Sequence, residues 1–573
     1  MVVLGISLIV IAAVVIGVVA GIDRPGDSNS DKMTQTESLD SVCGQTDYKQ
    51  TCTASLQPAG MKAAVISYFR VAVNATLTAM AHAMKMVKAD ADAVSLDHES
   101  EKMALEDCIE LIGLCMEELQ SVITIFINST TSTSFHYDSG DIRSSLSAVL
   151  SYQIACIEGL KESRSTSDNV DQILQKPTEL TSNALAIIYE YSENDDAAAD
   201  PQAAAAAMPP PPPPATSNDP IGPVGRQLLE SGGGQMKPDA VVAKDKSGQY
   251  ASIAAALNAY PNGHKGRYLI YVKSGVYEEN VIIAKNTTQI FMYGDGLDKT
   301  IISGRDHFRG HGTTTYRRAT LSVIGDGFIC KDIGIKVPEK SRGKSMAAAV
   351  KMQSDRAAFF NCRINGSATS NIYALANRQL LVGCEIYGVT NIIRGDGAVV
   401  IQRSKIILTP PSSSSENNNN YNIIIALQGR SDRWESSGFV IQACTIRRDE
   451  SYIYSPRSGV VVGKGGAYLG MAVANYSRTI VMESSLGDLI HPDGWYWDNN
   501  KKYAIENVTF AEYENMGPGS AATNSNINRS IHVISNSSDA MRYTAGRFIQ
   551  AQNWFNGTLV PPFKPGLVFH NKR

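Results

Sequence analysis

The sequence predicts an all-β, right-handed parallel β-helix in the C-terminal part of the chain, preceded by an all-α helical bundle. Three observations predict it. Apolar residues recur at three- and four-residue spacing around Cys108, short apolar strands recur about every 20 residues after Lys237, and an Ala/Pro tract separates the two regions. At 573 residues the chain exceeds a single core and divides into several domains.

Taking the elements in order, Val2 to Ile22 contains no charged residue, close to the roughly 20 apolar residues that a bilayer-spanning helix needs. Residues 1–22 read either as a cleaved signal peptide, with Val18 and Ala20 as the small residues before the cut, or as an uncleaved signal anchor. Both take the body of the chain out of the cytosol. No Lys or Arg precedes Arg24, so topology is weakly specified. N-x-[ST] triplets at Asn74, Asn128, Asn286, Asn365, Asn475, Asn507, Asn528, Asn536 and Asn556 agree with export as glycosylation sites. The nine cysteines of an exported chain imply disulfides with at least one thiol left over.

Residues 40–195 read as helices. Leu105, Cys108, Ile109, Ile112, Cys115, Leu119 and Val122 form the stripe of a packed helix, which by itself is a bundle without chemistry. Residues 196–236 form a linker: Ala203–Ala207 and then Pro209–Pro214 cannot build a core, and the prolines make a stiff spacer of roughly 19 Å. Residues 237–573 carry the strands. Cys362, Cys384, Ser404 and Cys444 hold one position in four of them, at separations of 22, 20 and 40 residues. A buried small side chain at that recurrence predicts coils stacked like on like, so these cysteines are interior ladder residues.

Charge divides the same way. Residues 1–236 carry 13 Lys+Arg against 30 Asp+Glu and residues 237–573 carry 39 against 26, so a net charge of −4 hides an acidic front and a basic back. A basic surface suits a polyanion. Nothing in it reads as a nucleic-acid module, so nucleic acid is not expected and an acidic polysaccharide is favoured. Metal-ligand spacing, a phosphate loop and a Ser-His-Asp arrangement are also missing from the sequence, so no metal or cofactor is expected.

Resemblances sharpen this. Cys43-x8-Cys52, DCIEL at Asp107–Leu111, LSAVLSYQIACIEG at Leu146–Gly159 and SNALAII at Ser182–Ile188 resemble the pectin methylesterase inhibitor family. That resemblance implies a four-helix bundle with Cys43–Cys52 and Cys108–Cys156 disulfides, and it makes Cys115 a buried residue where the family has a small one. Almost all of 237–563 resembles the plant pectin methylesterases: KPDAVVAKDKSGQYASIAAAL at Lys237–Leu257, GVYEE at Gly275–Glu279, ATLSVIGDGFICKDIGI at Ala319–Ile335, ALQGRSD at Ala426–Asp432 and HPDGWYWD at His491–Asp498. This implies a pectin lyase-like solenoid. Arg226-Gln227-Leu228-Leu229 resembles the basic-x-Leu-Leu site at which family members shed the inhibitor-like region.

The resemblance also implies a site, and its reactive positions are replaced. The chemistry calls for a nucleophilic Asp, an acid Asp, two Gln amides holding an oxyanion, an orienting Arg and a Trp platform for the sugar. The nucleophile of V-D-F-I-F-G-N-A-A-V-V falls on Asn391, the Gln of Q-A-V-A-L on Met346, and the Gln and Asp of Q-D-T-L on Thr369 and Ser370. The Arg and Trp of L-G-R-P-W fall on Met471 and Val473. Asp396 and Arg394 lie nearby, but the odd offset from residue 391 turns Asp396 to the other face of an unbroken strand, and both read as a surface ion pair. His307 and His311 read as part of an ordinary family loop. The expectation is a secreted cell-wall protein that binds methyl-esterified homogalacturonan (pectin) with a degenerate esterase site, anchored to a membrane before processing if the signal is uncleaved. Active pectin methylesterases are further partners, reached through the inhibitor-like domain. The alternatives are an active enzyme releasing pectate and methanol, and a purely structural wall glycoprotein.

Overall fold

The computed structural model describes residues 32–95, 98–128, 132–163, 168–196, 237–305, 314–338, 347–366, 370–409, 422–450, 466–498, 507–520, 531–555 and 561–569. The segment 1–22, the linker, Arg226, Leu229, Met346, Thr369, His307, His311, Asn528 and Asn556 lie outside the described residues.

Four long helices make the first unit: α1 (Val65–Ala93), α2 (Glu99–Asn128), α3 (Ser132–Glu162) and α4 (Asp168–Asp196). Two short helices, Leu39–Gly44 and Lys49–Leu56, precede them, the first capped by the Ser38 hydroxyl accepting from the Ser41 N–H at 3.1 Å. The expected stripe on α2 points inward: Leu105, Cys108, Ile112, Cys115, Leu119 and Val122 are buried, and Ile109 packs at the edge. Cys43–Cys52 joins the short helices and Cys108–Cys156 joins α2 to α3. Cys115 is a buried free thiol that donates to the Val149 carbonyl at 3.5 Å, and burial pushes its pKa well up. No helix among the described residues is long and apolar enough to cross a membrane.

The second unit is a parallel β-helix of three sheets, with eleven, eight and seven strands among the described residues. Seven successive coils, from Asp332 to Glu514, each turn the corner after a strand of the eleven-stranded sheet through one left-handed residue. Asp332, Asn361, Gly383, Arg403, Ala443, Glu483 and Glu514 stack there with φ between 46° and 64°. Asn and Gly suit that conformation; Arg403 and Ala443 are held in it by the coils above and below. The next residue of each coil is the predicted ladder. Cys362, Cys384, Ser404 and Cys444 are all buried, and the Ser404 hydroxyl accepts from the Cys384 N–H at 3.0 Å. Ser484 extends the ladder, accepting from the Cys444 N–H at 3.0 Å.

The seven-stranded sheet positions the site. Its strands are β1 (Val281–Ile283), β2 (Ala319–Val323), β3 (Ala348–Met352), β4 (Ile372–Ala374), β5 (Ile393–Gly395), β6 (Ile423–Gln428) and β7 (Ala467–Ala472). Alternation sends Leu321, Val350, Ile372, Ile393 and Ala426 into the coil interior. The register then aligns Ser322, Lys351, Tyr373, Arg394, Leu427 and Met471 as one outward row across β2 to β7.

Candidate functional site

Helices α2, α3 and α4 lie over that outward row. Tyr316, Ala348, Tyr373, Leu375 and Trp434 of the solenoid belong to the same apolar cluster as the helix cores, and the Tyr189 ring meets Trp434 at 5.1 Å. The Tyr152 hydroxyl donates to the Gln353 carbonyl at 3.2 Å, and the hydroxyls of Ser147 and Ser436 meet at 3.2 Å. Around this contact runs a rim of ion pairs: Glu106 and Asp107 with Arg317, Glu118 with Lys285, Asp141 with Arg356 and Arg378, and Asp47 with Arg433. In each of them the acid comes from the helical unit and the base from the solenoid. The opposite net charges of the two halves therefore meet face to face.

Four of the six expected site positions are described. Asn391 precedes β5 in the left-handed region, with φ 52°, and is half-buried. Its N–H donates to the Ile424 carbonyl at 2.6 Å and its amide oxygen accepts from the Thr390 hydroxyl at 3.3 Å. Ser370, fully buried before β4, accepts from Arg394 Nε at 3.1 Å. Met471 ends the outward row on β7. Val473 follows it, its N–H donating to Ser477 Oγ at 3.2 Å. An amide, a hydroxyl, a thioether and an isopropyl group offer neither a carboxylate nucleophile nor an orienting cation.

The expected surface pair of Asp396 and Arg394 is corrected. Asp396 is 7% exposed and accepts from Ser151 of α3 at 2.9 Å, Gln428 at 3.1 Å and Ser437 at 2.7 Å. Arg394 instead lies over the Tyr373 ring at 3.9 Å. The parity argument needed an unbroken strand, and the chain breaks at both ends of β5, at Asn391 and at Gly395, whose φ is 118°. Burial pushes the carboxyls of Asp396 and neighbouring Glu435 up, Glu435 well above the usual range. Asp396 is thus a buried acceptor at the domain boundary, with its oxygens turned to serine and amide donors.

Lys351 is not singled out by the sequence reading, and Arg394 enters it only as half of a surface ion pair. The available signal was a cation within a short apolar strand, in AAAVKM and NIIRG, at the parity that faces out. Lys351 is buried beneath the helices with its Nζ 3.4 Å from the centre of the Tyr316 ring. Burial lowers its pKa to about 8, against the opposing pull of Glu110 and Asp107.

The N-x-[ST] asparagines occupy varied settings. Asn74, Asn286, Asn475 and Asn536 are exposed, Asn365 and Asn507 are half-buried, and Asn128 ends α2. Asn536 also caps the helix Ser537–Met541, its Oδ1 accepting from the Asp539 N–H at 2.8 Å.

Comparison with known proteins gives two family matches. The model for Pectinesterase matches residues 239–552, and that for Plant invertase/pectin methylesterase inhibitor matches residues 37–187. The chain is 31% identical to Pectinesterase 1 of Citrus sinensis, over 96% of this chain and 92% of the relative. It is 30% identical to Pectinesterase/pectinesterase inhibitor 3 of Arabidopsis thaliana, over 97% of this chain and 96% of the relative. Among solved structures, the pectin methylesterase from carrot shares 34% identity at a TM-score of 0.52, covering 58% of this chain and 99% of the carrot chain.

Proposed function

Because the chain belongs to the pectinesterase family and carries a plant invertase/pectin methylesterase inhibitor domain, we propose that it is a cell-wall protein that binds pectin without hydrolysing its methyl esters. The observation that carries this reading is Asn391 at the nucleophile position. A carboxylate attacks an ester carbon with a lone pair that an amide oxygen, committed to resonance, does not supply. The replacements at Ser370, Met471 and Val473 remove the acid, the orienting cation and the sugar platform as well.

Export as a glycoprotein, by way of a signal peptide or anchor at 1–22, is the route that the N-x-[ST] triplets and the disulfides support. Processing at Arg226–Leu229 would then release the solenoid from the helices. A second role rests on the helical surface that covers the outward row, since the same surface suits binding an active pectin methylesterase in trans.

Binding is tested with residues 237–573, the part that aligns with nearly the whole carrot chain. The net +13 of this segment should retain it on immobilised polygalacturonate at low ionic strength. Retention should fall steeply as salt shortens the Debye length from about 10 Å at 0.1 M to about 3 Å at 1 M. Passage through the column at low salt, or equal retention at 1 M, would remove pectin from the reading.

A further inference from the structure

Resting on the pectin-binding reading, we propose that Lys351 and Arg394 form a site for the free carboxylates of a polyuronate. In the same proposal the helical domain closes this site by presenting Glu110 and Glu158 in place of those carboxylates.

The two cations sit on β3 and β5 with Tyr373 of β4 between them in register, which sets their backbones about 10 Å apart at roughly 4.8 Å per strand. Arg394 is held in place before any ligand arrives. Its guanidinium carbon is 3.9 Å above the Tyr373 ring and its Nε donates to Ser370 Oγ at 3.1 Å, which leaves Nη2 buried without an acceptor among the described residues. A fixed guanidinium with an unused donor is matched by a carboxylate oxygen, which forms a charge-assisted hydrogen bond that an uncharged methyl ester forms only weakly.

The position of this cation within the row supports the same conclusion. The orienting Arg implied by the resemblance would stand on β7, where Met471 is, whereas Arg394 falls on the second Phe of V-D-F-I-F-G. The charge is thus displaced by two strands, away from Met471 and toward Lys351. That placement suits holding an acid product more than activating an ester.

The helices answer with acids. Glu110 of α2 accepts from the Tyr316 hydroxyl at 2.9 Å, on the ring that lies under Lys351 Nζ, and it acts electrostatically on Lys351. Glu158 of α3 interacts electrostatically with Arg394. Both glutamates are exposed at the edge of the contact, so they can be neutralised without opening a cavity. Doing so leaves Lys351 covered with less compensation, which disfavours the closed arrangement.

The test uses the full chain and two oligogalacturonates, one with free acids and one fully methyl-esterified, titrated at low salt and pH 6. Glu110→Gln with Glu158→Gln should tighten binding of the free-acid oligomer about tenfold. Adding Arg394→Gln should weaken it about tenfold again while leaving the methyl ester within about twofold. Circular dichroism melting checks the fold, and Lys351→Gln in the same background should repeat the selective loss if the arginine variant unfolds. Loss of both oligomers to the same degree, or no loss from either variant, overturns the carboxylate site. Unchanged affinity in the double glutamine variant overturns closure by the helices. Failure of every form to bind either oligomer overturns the pectin reading itself, a different result from unselective binding.

Discussion

Asn391→Asp should leave ester hydrolysis at least about 10⁴-fold below that of an active relative. The substitution is tolerated locally, because Asp, like Asn, accepts the left-handed φ of 52° and keeps an oxygen for the Thr390 hydroxyl. It returns a carboxylate to the position but nothing around it. Ser370 has no proton of suitable acidity to give, and Met471 carries no charge to orient the nucleophile. General acid catalysis alone is worth about 10² to 10⁴, and one oxyanion donor about 10² to 10³. These losses outweigh recovery of the nucleophile. A variant within about tenfold of an active relative, measured as methanol release, would mean that other side chains replace the missing groups, Arg394 and Ser370 first among them.

Arg378→Met should destabilise the chain by about 3 kcal/mol at pH 7. Arg378 is 5% exposed and ties three parts of the molecule together. Nε and Nη2 donate to Asp355 at 2.9 and 2.6 Å, Nη2 also to Asp141 of α3 at 2.7 Å, and Nη1 to Gln550 near the C-terminus at 2.7 Å. Methionine fills the aliphatic space but leaves two carboxylates with fewer partners. Burial by itself would raise the Asp355 carboxyl; Arg378, with Arg356 beside it, more than reverses this, and the group sits below its usual range. For a lowered carboxyl, the stabilisation is fully present above the unfolded value of about 3.9 and is lost as pH falls through the lower folded value. Urea unfolding should therefore show a wide gap between wild type and variant at pH 7 that narrows below about pH 4. A gap under about 1 kcal/mol, or one that does not change with pH, would contradict this role.

The sequence exposes the parts of this molecule that repeat. The α2 stripe from Leu105 to Val122 and the Cys362, Cys384, Ser404, Cys444 frame are local periodicities, and each specifies an element and its buried face. The domain contact is not local. Asp107 meets Arg317 and Asp141 meets Arg378 across more than 200 residues, and no spacing rule connects them. Charge counts foretold opposite signs on the two halves without foretelling that they meet. Asp396 was misplaced because side-chain parity holds only along continuous strand, and the turns at Asn391 and Gly395 are invisible until φ is known. Lys351 escapes notice and Arg394 reads as a surface partner of Asp396 because each is one charge in an apolar run, and only the register across β3, β4 and β5 brings them into one row.

The central claim is that the solenoid keeps the pectinesterase framework without its reaction. Methanol release from highly methylated pectin by residues 237–573, freed of the covering helices, tests it most directly. The account predicts no methanol above background under conditions in which the same preparation is retained on polygalacturonate. Turnover within about tenfold of an active relative would contradict it.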